Sequence, residues 1–288
     1  MSFGRGMAVE AVYVVRAPVQ RTLALQQHWD PTRHSELRTF FAADISGRPS
    51  PSDFRGLASI PSNSSVRALV EATERLPGDA SKLQLSRAEA KLFTGGAPGG
   101  GREAITAAVN SFWSKVLADR AQAYAAGGFS AQPPYETTGS AVRVSEDANR
   151  LLRDDGKVRS QFASLIEGAG IGGGRGSLTS SLYWQMFDAE GQAAINLGAF
   201  YWKAVGDGVQ AADAQYYASS GFYTALTFYQ MWPVTVDGQA ATLVWRTDLI
   251  SSAQLDLRGV ERMGAGAAAM REVQKGVNAF LRDARSLR

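Results

Sequence analysis

Between residues 182 and 249 the chain alternates short aromatic and β-branched runs with tight-turn chemistry, and few folds accommodate that pattern. The runs cover 182–187, 192–203, 215–218, 222–234 and 241–249. Asp188-Ala189-Glu190-Gly191, Gly206-Asp207-Gly208 and Val236-Asp237-Gly238 separate several of them. Turns this short join antiparallel neighbours, because a parallel connection needs a crossover of about a dozen residues or more. The pattern predicts a meander of four or five antiparallel strands, sequential segments lying side by side.

Period-two alternation sorts the side chains. In 222–234, Tyr223, Ala225, Thr227, Tyr229 and Met231 share one side, and Phe222, Thr224, Leu226, Phe228 and Trp232 the other. In 241–249, Leu243, Trp245 and Leu249 oppose Thr242, Val244, Arg246 and Asp248. A half-solvated sheet carries one polar face. Both faces here carry aromatics, so either both are covered or one lines a cavity. Tyr and Trp suit a cavity wall, since they join apolar area to a polar handle, and they serve equally as plain core and rim.

The chain then closes on a helical pattern over 257–285. Val260, Met263, Ala267, Met270, Val273, Val277, Phe280 and Ala284 recur every three or four residues as one narrow apolar stripe. At about 1.5 Å per residue such a helix spans roughly 40 Å, enough to cross a sheet. Gly264 and Gly266 weaken it locally by about 1 kcal/mol each relative to alanine. Candidate ligand contacts are Trp184, Tyr201, Tyr223, Tyr229, Met231, Trp245 and Arg246 from the sheet, with the adaptable Met263 and Met270 from the helix. An Arg246–Asp248 ion pair at a sheet edge is the plainer role for those two charges.

The first half begins with a Val- and Tyr-rich strand over 8–15, an Ala17-Pro18 turn, and a helix over 19–29 that Asp30-Pro31 ends. His34 reads as structural, for want of an orienting acid and a nucleophile. Residues 40–65 are loop-rich, with a short helix at Ser50-Pro51 burying Phe54 and Leu57. Asn63-Ser64-Ser65 caps a helix over 66–76, and Ser86 with Glu89 forms a capping box within 83–93. The glycines of 95–101 form a flexible loop, followed by the strongest helix of this half, 103–126, with Trp113 and Tyr124 as core. Residues 132–135 read as an extended linker, Ser145 as a helix cap, and 158–167 as a further helix.

Residues 168–176 (GAGIGGGRG) match G-x-G-x-x-G at Gly168, Gly170 and Gly173. A dinucleotide fingerprint needs a strand before it and a helix after it, and this segment has the reverse. It reads as a mobile linker between the helical and sheet portions. The fold expected is α+β: one domain over 1–288, an antiparallel meander sheet gripping a long C-terminal helix. Residues 1–45 and 177–288 form that unit, and 46–176 a mainly helical insertion.

Composition excludes several chemistries. There is no cysteine, which removes disulfides, cysteine nucleophiles and cysteine-ligated metals, and His28 and His34 are the only histidines. The formal charge of +3 is spread without a basic block, which argues against nucleic-acid binding. No apolar run approaches the about 18–20 residues of a membrane span. No G-x-S-x-G, H-E-x-x-H or Walker loop is present, so no catalytic residue, metal site or cofactor is assigned. Residues 1–18 carry Arg5, Glu10 and Arg16 and do not read as a secretory leader. The expected compartment is cytoplasmic at face value, or exported or periplasmic if a leader has been removed.

The order of elements resembles the START-like, helix-grip superfamily. The resemblance is carried by VYVVRAPVQRTLALQQHW near the start, and by ATLVWRTDLISS followed by ERMGAGAAAMREVQKGVNAFLRDA at the end. It covers about 30 residues at the start and 100 at the end, has no diagnostic motif, and transfers no functional residue. The mostly helical middle departs from it. The resemblance implies a curved sheet around the terminal helix and a cavity between them for a lipid, sterol, polyketide or aromatic ligand. Some members are cyclases or hydrolases. The function expected is non-catalytic carriage or sensing of a hydrophobic or amphipathic small molecule. An enzyme using Arg, Asp and Tyr of the same pocket, and an envelope-associated or interaction protein docking through the helical middle, are the alternatives.

Overall fold

The chain opens with strand β1 (Gly6–Val15) and turns at Ala17-Pro18 into helix α1 (Val19–Gln27). The computed structural model describes residues 3–95, 101–256 and 259–287. Strand β2 (Thr39–Ile45) follows. A helical segment then runs through α2 (Ser64–Glu74), α3 (Arg87–Ala90), α4 (Gly101–Gly127), α5 (Val144–Asp154), α6 (Gly156–Gln161) and α7 (Ala163–Ala169). The remaining strands are β3 (Ser181–Ala189), β4 (Gln192–Val205), β5 (Gly208–Ala218), β6 (Thr224–Val236) and β7 (Gln239–Ser251), and α8 (Gly259–Ala284) follows them.

The described strands form a seven-stranded antiparallel sheet in the order β1-β7-β6-β5-β4-β3-β2. Its meander β3–β7 is set by tight turns. Glu190 and Gly191 have φ of 55° and 89°, and Asp237 and Gly238 have φ of 53° and 74°. Two successive left-handed residues match the twist of the flanking strands. The N-terminal segment supplies both edges: β1 pairs β7 from Gly6↔Ser251 to Val15↔Thr242, and β2 pairs β3.

Two segments correct the sequence expectation here. Residues 39–45, within the stretch read as loop-rich from residue 40, are strand β2. All but Asp44 and Ile45 are half-buried, so no alternation marks it, and pairing with β3 makes the strand. Likewise β5 spans the whole of Gly208–Ala218 rather than 215–218. Its alanines have weak strand propensity, and two flanking strands hold them extended.

Both faces of the sheet are covered. On one, Val19 and Leu23 of α1 pack with Val209, Ala211, Tyr229, Met231 and Val244. On the other, the helical segment buries Phe112, Trp113, Val116 and Leu117 of α4 in one core with Trp184, Leu226, Phe228 and Trp245 of the sheet. The Trp113 Nε1–H donates to Thr73 Oγ1 at 3.0 Å. Arg120 and Glu89 meet in this core through two 2.7 Å hydrogen bonds, so the capping box at Ser86 places a counter-charge for α4. The expected linker 132–135 ends on Tyr135, which is fully buried and bonded to Tyr223 O and Ala218 N. Arg143 rather than Ser145 occupies the α5 cap position, with no side-chain cap bond. The expected loop at 95–101 lies mostly outside the described residues.

The terminal helix grips less than its stripe predicts. Val273, Val277, Phe280 and Ala284 are buried against β1 and α1, with Val9, Val15 and Val19 among their neighbours. Met263 and Met270 do not face the sheet: they are 74% and 60% exposed. The helix lies along edge strand β1, where a Cβ at Gly266 would come 3.7 Å from Met7 Sδ, and the two methionines stand on its outer side.

The glycine-rich stretch after α7 is not a mobile linker. It folds back on itself through Gly173 N→Gly170 O and Leu178 N→Gly168 O, and is held from outside by Ser130 N→Gly173 O and Asn149 Nδ2→Gly172 O.

Candidate functional site

Direct cross-strand pairing lays Ser181, Phe200, Asp213, Thr227 and Asp248 in one row from β3 to β7, on the face that α1 covers. Tyr183, one register step along β3, sits opposite Gly198. A Cβ on Gly198 would lie 2.2 Å from Tyr183 Cζ, so the missing side chain is what lets the ring lie across β4. From there the hydroxyl donates to Asp213 Oδ1 at 2.6 Å. Asp213 Oδ2 accepts no hydrogen bond from another described residue.

A cleft of about 280 Å3 opens above this pair. Tyr183, Asp213, Phe200 and Gln185 line its sheet side, and the C-terminal end of α1 with the residues after it (Gln26, His28, Trp29) its other wall. Asp30 and Asp44 also line it, and among the described residues no Lys or Arg does. Burial pushes the Asp213 carboxyl from 3.8 up to about 6, against the opposing pull of the Tyr183 bond and the nearby Arg246. Burial beside that carboxylate drives the Tyr183 hydroxyl well above its ordinary value, so it stays a donor.

Arg246 and Asp248 neighbour this pair on the same face. They form a bidentate ion pair at 2.8 and 2.7 Å, and Thr227 donates to Asp248 Oδ1 at 2.8 Å. The pair does not lie at a sheet edge: β7 runs between β1 and β6, and both groups are largely buried. Tyr229 lies under Arg246, with the guanidinium carbon 5.6 Å from its ring centre, and bonds Gln26 of α1. Burial raises Tyr13 to about 12. With Asp248 satisfied, Arg246 is already committed, and Asp213 is left without a cationic partner.

The wall beyond α1 is pinned to α8. Trp29 Nε1–H donates to Asp283 Oδ2 at 3.0 Å, and His34 Nε2 stands 2.9 Å from the same oxygen. Arg282 donates to His34 Nδ1 at 3.3 Å and pairs with Glu36, which leaves the Nε2 proton for Asp283. His34 therefore has an orienting acid, supplied from 249 residues away, and acts in positioning Trp29.

The nine residues predicted as ligand contacts are not brought together. Tyr229, Met231 and Arg246 lie on the α1 face but behind the cleft, not in its lining. Trp184, Tyr201 and Trp245 point to the opposite face: Trp184 stacks on Phe41 at 4.5 Å, Tyr201 bonds Tyr124 at 3.0 Å, and Trp245 lies 5.5 Å from Phe162. Tyr223 packs beside Arg5 at the start of β6, and Met263 and Met270 are exposed. The residues missed are Asp213, Tyr183, Gln26 and His28. Asp213 carried a signal, a lone carboxylate in an alanine-rich strand (AADA), but the strand itself was read too short to include it.

Among the described residues no group of three or more His, Asp or Glu is placed to hold a metal ion, and no helix is long and apolar enough to cross a membrane. The site's chemistry is that of an acceptor: a carboxylate with one open oxygen, poised to bind a hydroxyl or ammonium or to exchange a proton near neutrality. No family model matches the chain, and no curated protein matches it in sequence.

Proposed function

We propose that the protein binds a small amphipathic molecule in the cleft between the sheet and the end of α1, as a carrier or sensor. The observation that carries this is Asp213: half-buried at the cleft, one oxygen held by Tyr183 and the other open. A carboxylate taken from water without a partner is costly, and a ligand hydroxyl or ammonium supplies the missing bond. Trp29 and Phe200 offer apolar surface for the rest of the molecule. The space directly under α8 is filled by Val9, Val273 and Val277, so the guest sits beside the closing helix rather than beneath it. The helix-grip resemblance favours the same reading, since it implies a ligand cavity on the face of an antiparallel sheet, although here α1 rather than the terminal helix supplies the facing wall. The test is native mass spectrometry with organic extraction. Wild type is expected to carry or take up one small molecule, and Asp213→Leu to lose it. An empty wild-type protein that takes up none of a panel of amphipathic alcohols and amines sinks the proposal.

A second reading, an enzyme acting on that same guest, rests on the carboxyl titrating at about 6 beside Tyr183. Turnover of the extracted molecule that disappears in Asp213→Asn while binding persists distinguishes the two.

A further inference from the structure

The glycine-rich stretch that follows α7 borders a second cleft, of about 480 Å3, on the other side of the β2–β3 end. Arg175, Ser177, Thr179 and Ser180 line it, with Tyr124 and Tyr201 from α4 and β4. Asp44 and Ser181 line both clefts, so the two adjoin.

The loop is built to a fixed shape. Gly170 has φ of 65°, and a Cβ there would meet Gly174 O at 2.1 Å. A Cβ on Gly176 would meet Gly168 O at 2.2 Å, and one on Gly128 would meet Gly174 O at 2.7 Å. The glycines thus allow three backbone segments to touch, and such closeness holds the loop's donors in place before any ligand arrives.

Those donors are unspent. Among the described residues the N–H groups of Arg175, Gly176, Ser177, Thr179 and Ser180, all in the lining, donate to no backbone carbonyl. Arg175 forms no ion pair within the described residues and is the one cation in the lining. Hydroxyls, backbone amides and a guanidinium gathered on one concave surface are the donor set that binds oxyanions. The one carboxylate, Asp44, stands at the junction with the first cleft and biases an anion toward Arg175.

We propose that this cleft is an anion subsite, holding the phosphate or carboxylate group of a small molecule against Arg175 and the free backbone N–H groups of residues 175–180. It stands independently of what fills the first cleft. The test is an amide-resolved NMR titration of the full chain with inorganic phosphate and, separately, acetate at constant ionic strength. At least one of the two is expected to give saturable shifts confined to residues 174–181. Arg175→Gln is expected to weaken that binding about tenfold, the loss of one charge-assisted contact. Asp213→Asn is expected to leave it unchanged, although it alters the first cleft. Arg175 is exposed, so its replacement does not disturb the core. Absent or non-saturable shifts with both anions, shifts spread over surface Lys and Arg, or equal affinity in Arg175→Gln overturn the proposal.

Discussion

Tyr183 lies across Gly198 to reach Asp213, and the 2.6 Å bond between them exists because residue 198 has no side chain. Gly198→Ala would put a methyl 2.3 Å from the Tyr183 hydroxyl oxygen. The ring must move off residue 198, which pulls its hydroxyl away from Asp213. We expect a loss of about 1–3 kcal/mol in denaturant-midpoint stability, typical of overpacking. Loss of guest binding should accompany it.

Asp213 makes stability depend on pH in an unusual direction for an aspartate. Its folded-state value, about 6, lies above the ordinary 3.8, so the folded protein holds this proton more tightly than the unfolded chain. Ionisation therefore costs stability as pH rises from about 4 to about 6. Asp213→Asn removes the charge and keeps an acceptor for Tyr183. It should stabilise the protein by about 2 kcal/mol at pH 8 and leave it unchanged or weaker at pH 4. Chemical denaturation at the two pH values decides it: equal effects at both contradict the assignment.

The Glu89–Arg120 pair predicts a large loss. Arg120 is fully buried, and its guanidinium carbon also lies 4.2 Å from the Tyr217 ring centre. Glu89→Gln leaves that cation without a counter-charge, at a cost of about 3–5 kcal/mol. Arg120→Met combined with Glu89→Leu should recover much of it, because no buried charge remains. The comparison is read from unfolding curves of the two variants.

Helix α8 should divide into a packed side and a free side. Phe280→Ala removes a ring packed between Trp29 and Tyr13, at 5.8 and 6.4 Å, and should cost about 3–5 kcal/mol. Met263→Lys with Met270→Lys should change stability by no more than about 0.5 kcal/mol each, as for ordinary surface positions. A large loss in the methionine variant would mean that this side is packed after all.

Much of the architecture was written locally. The hairpin turns at Glu190-Gly191 and Asp237-Gly238 need left-handed backbone, and their sequences announce it. Asn63 caps α2 and the Ser86–Glu89 box caps α3 as their spacing predicts. The two sides of β6 separate as period-two alternation assigns them, with Tyr229 and Met231 under α1 and Leu226 and Phe228 under the helical segment. β2 was not legible as a strand, because an edge strand packed partly on both sides shows no alternation.

The site was hardly legible, for a physical reason. Aromatic content marked Trp184, Tyr201 and Trp245, yet aromatics serve a packed core as well as a cavity: Trp184 and Trp245 fill the core, and Tyr201 sits at its border with the second cleft. Asp213, Tyr183 and Gln26 come from three separate elements, and no spacing along the chain relates them. The sequence by itself determined the alternation, the turns and the caps, since those depend on a residue and its near neighbours. Only the tertiary structure decided which side chains meet. It placed β1 beside β7 and β2 beside β3, carried α1 over the row that holds Asp213, and left Tyr183 room above Gly198. Those relations depend on strand register and on space between distant segments, which no local pattern encodes.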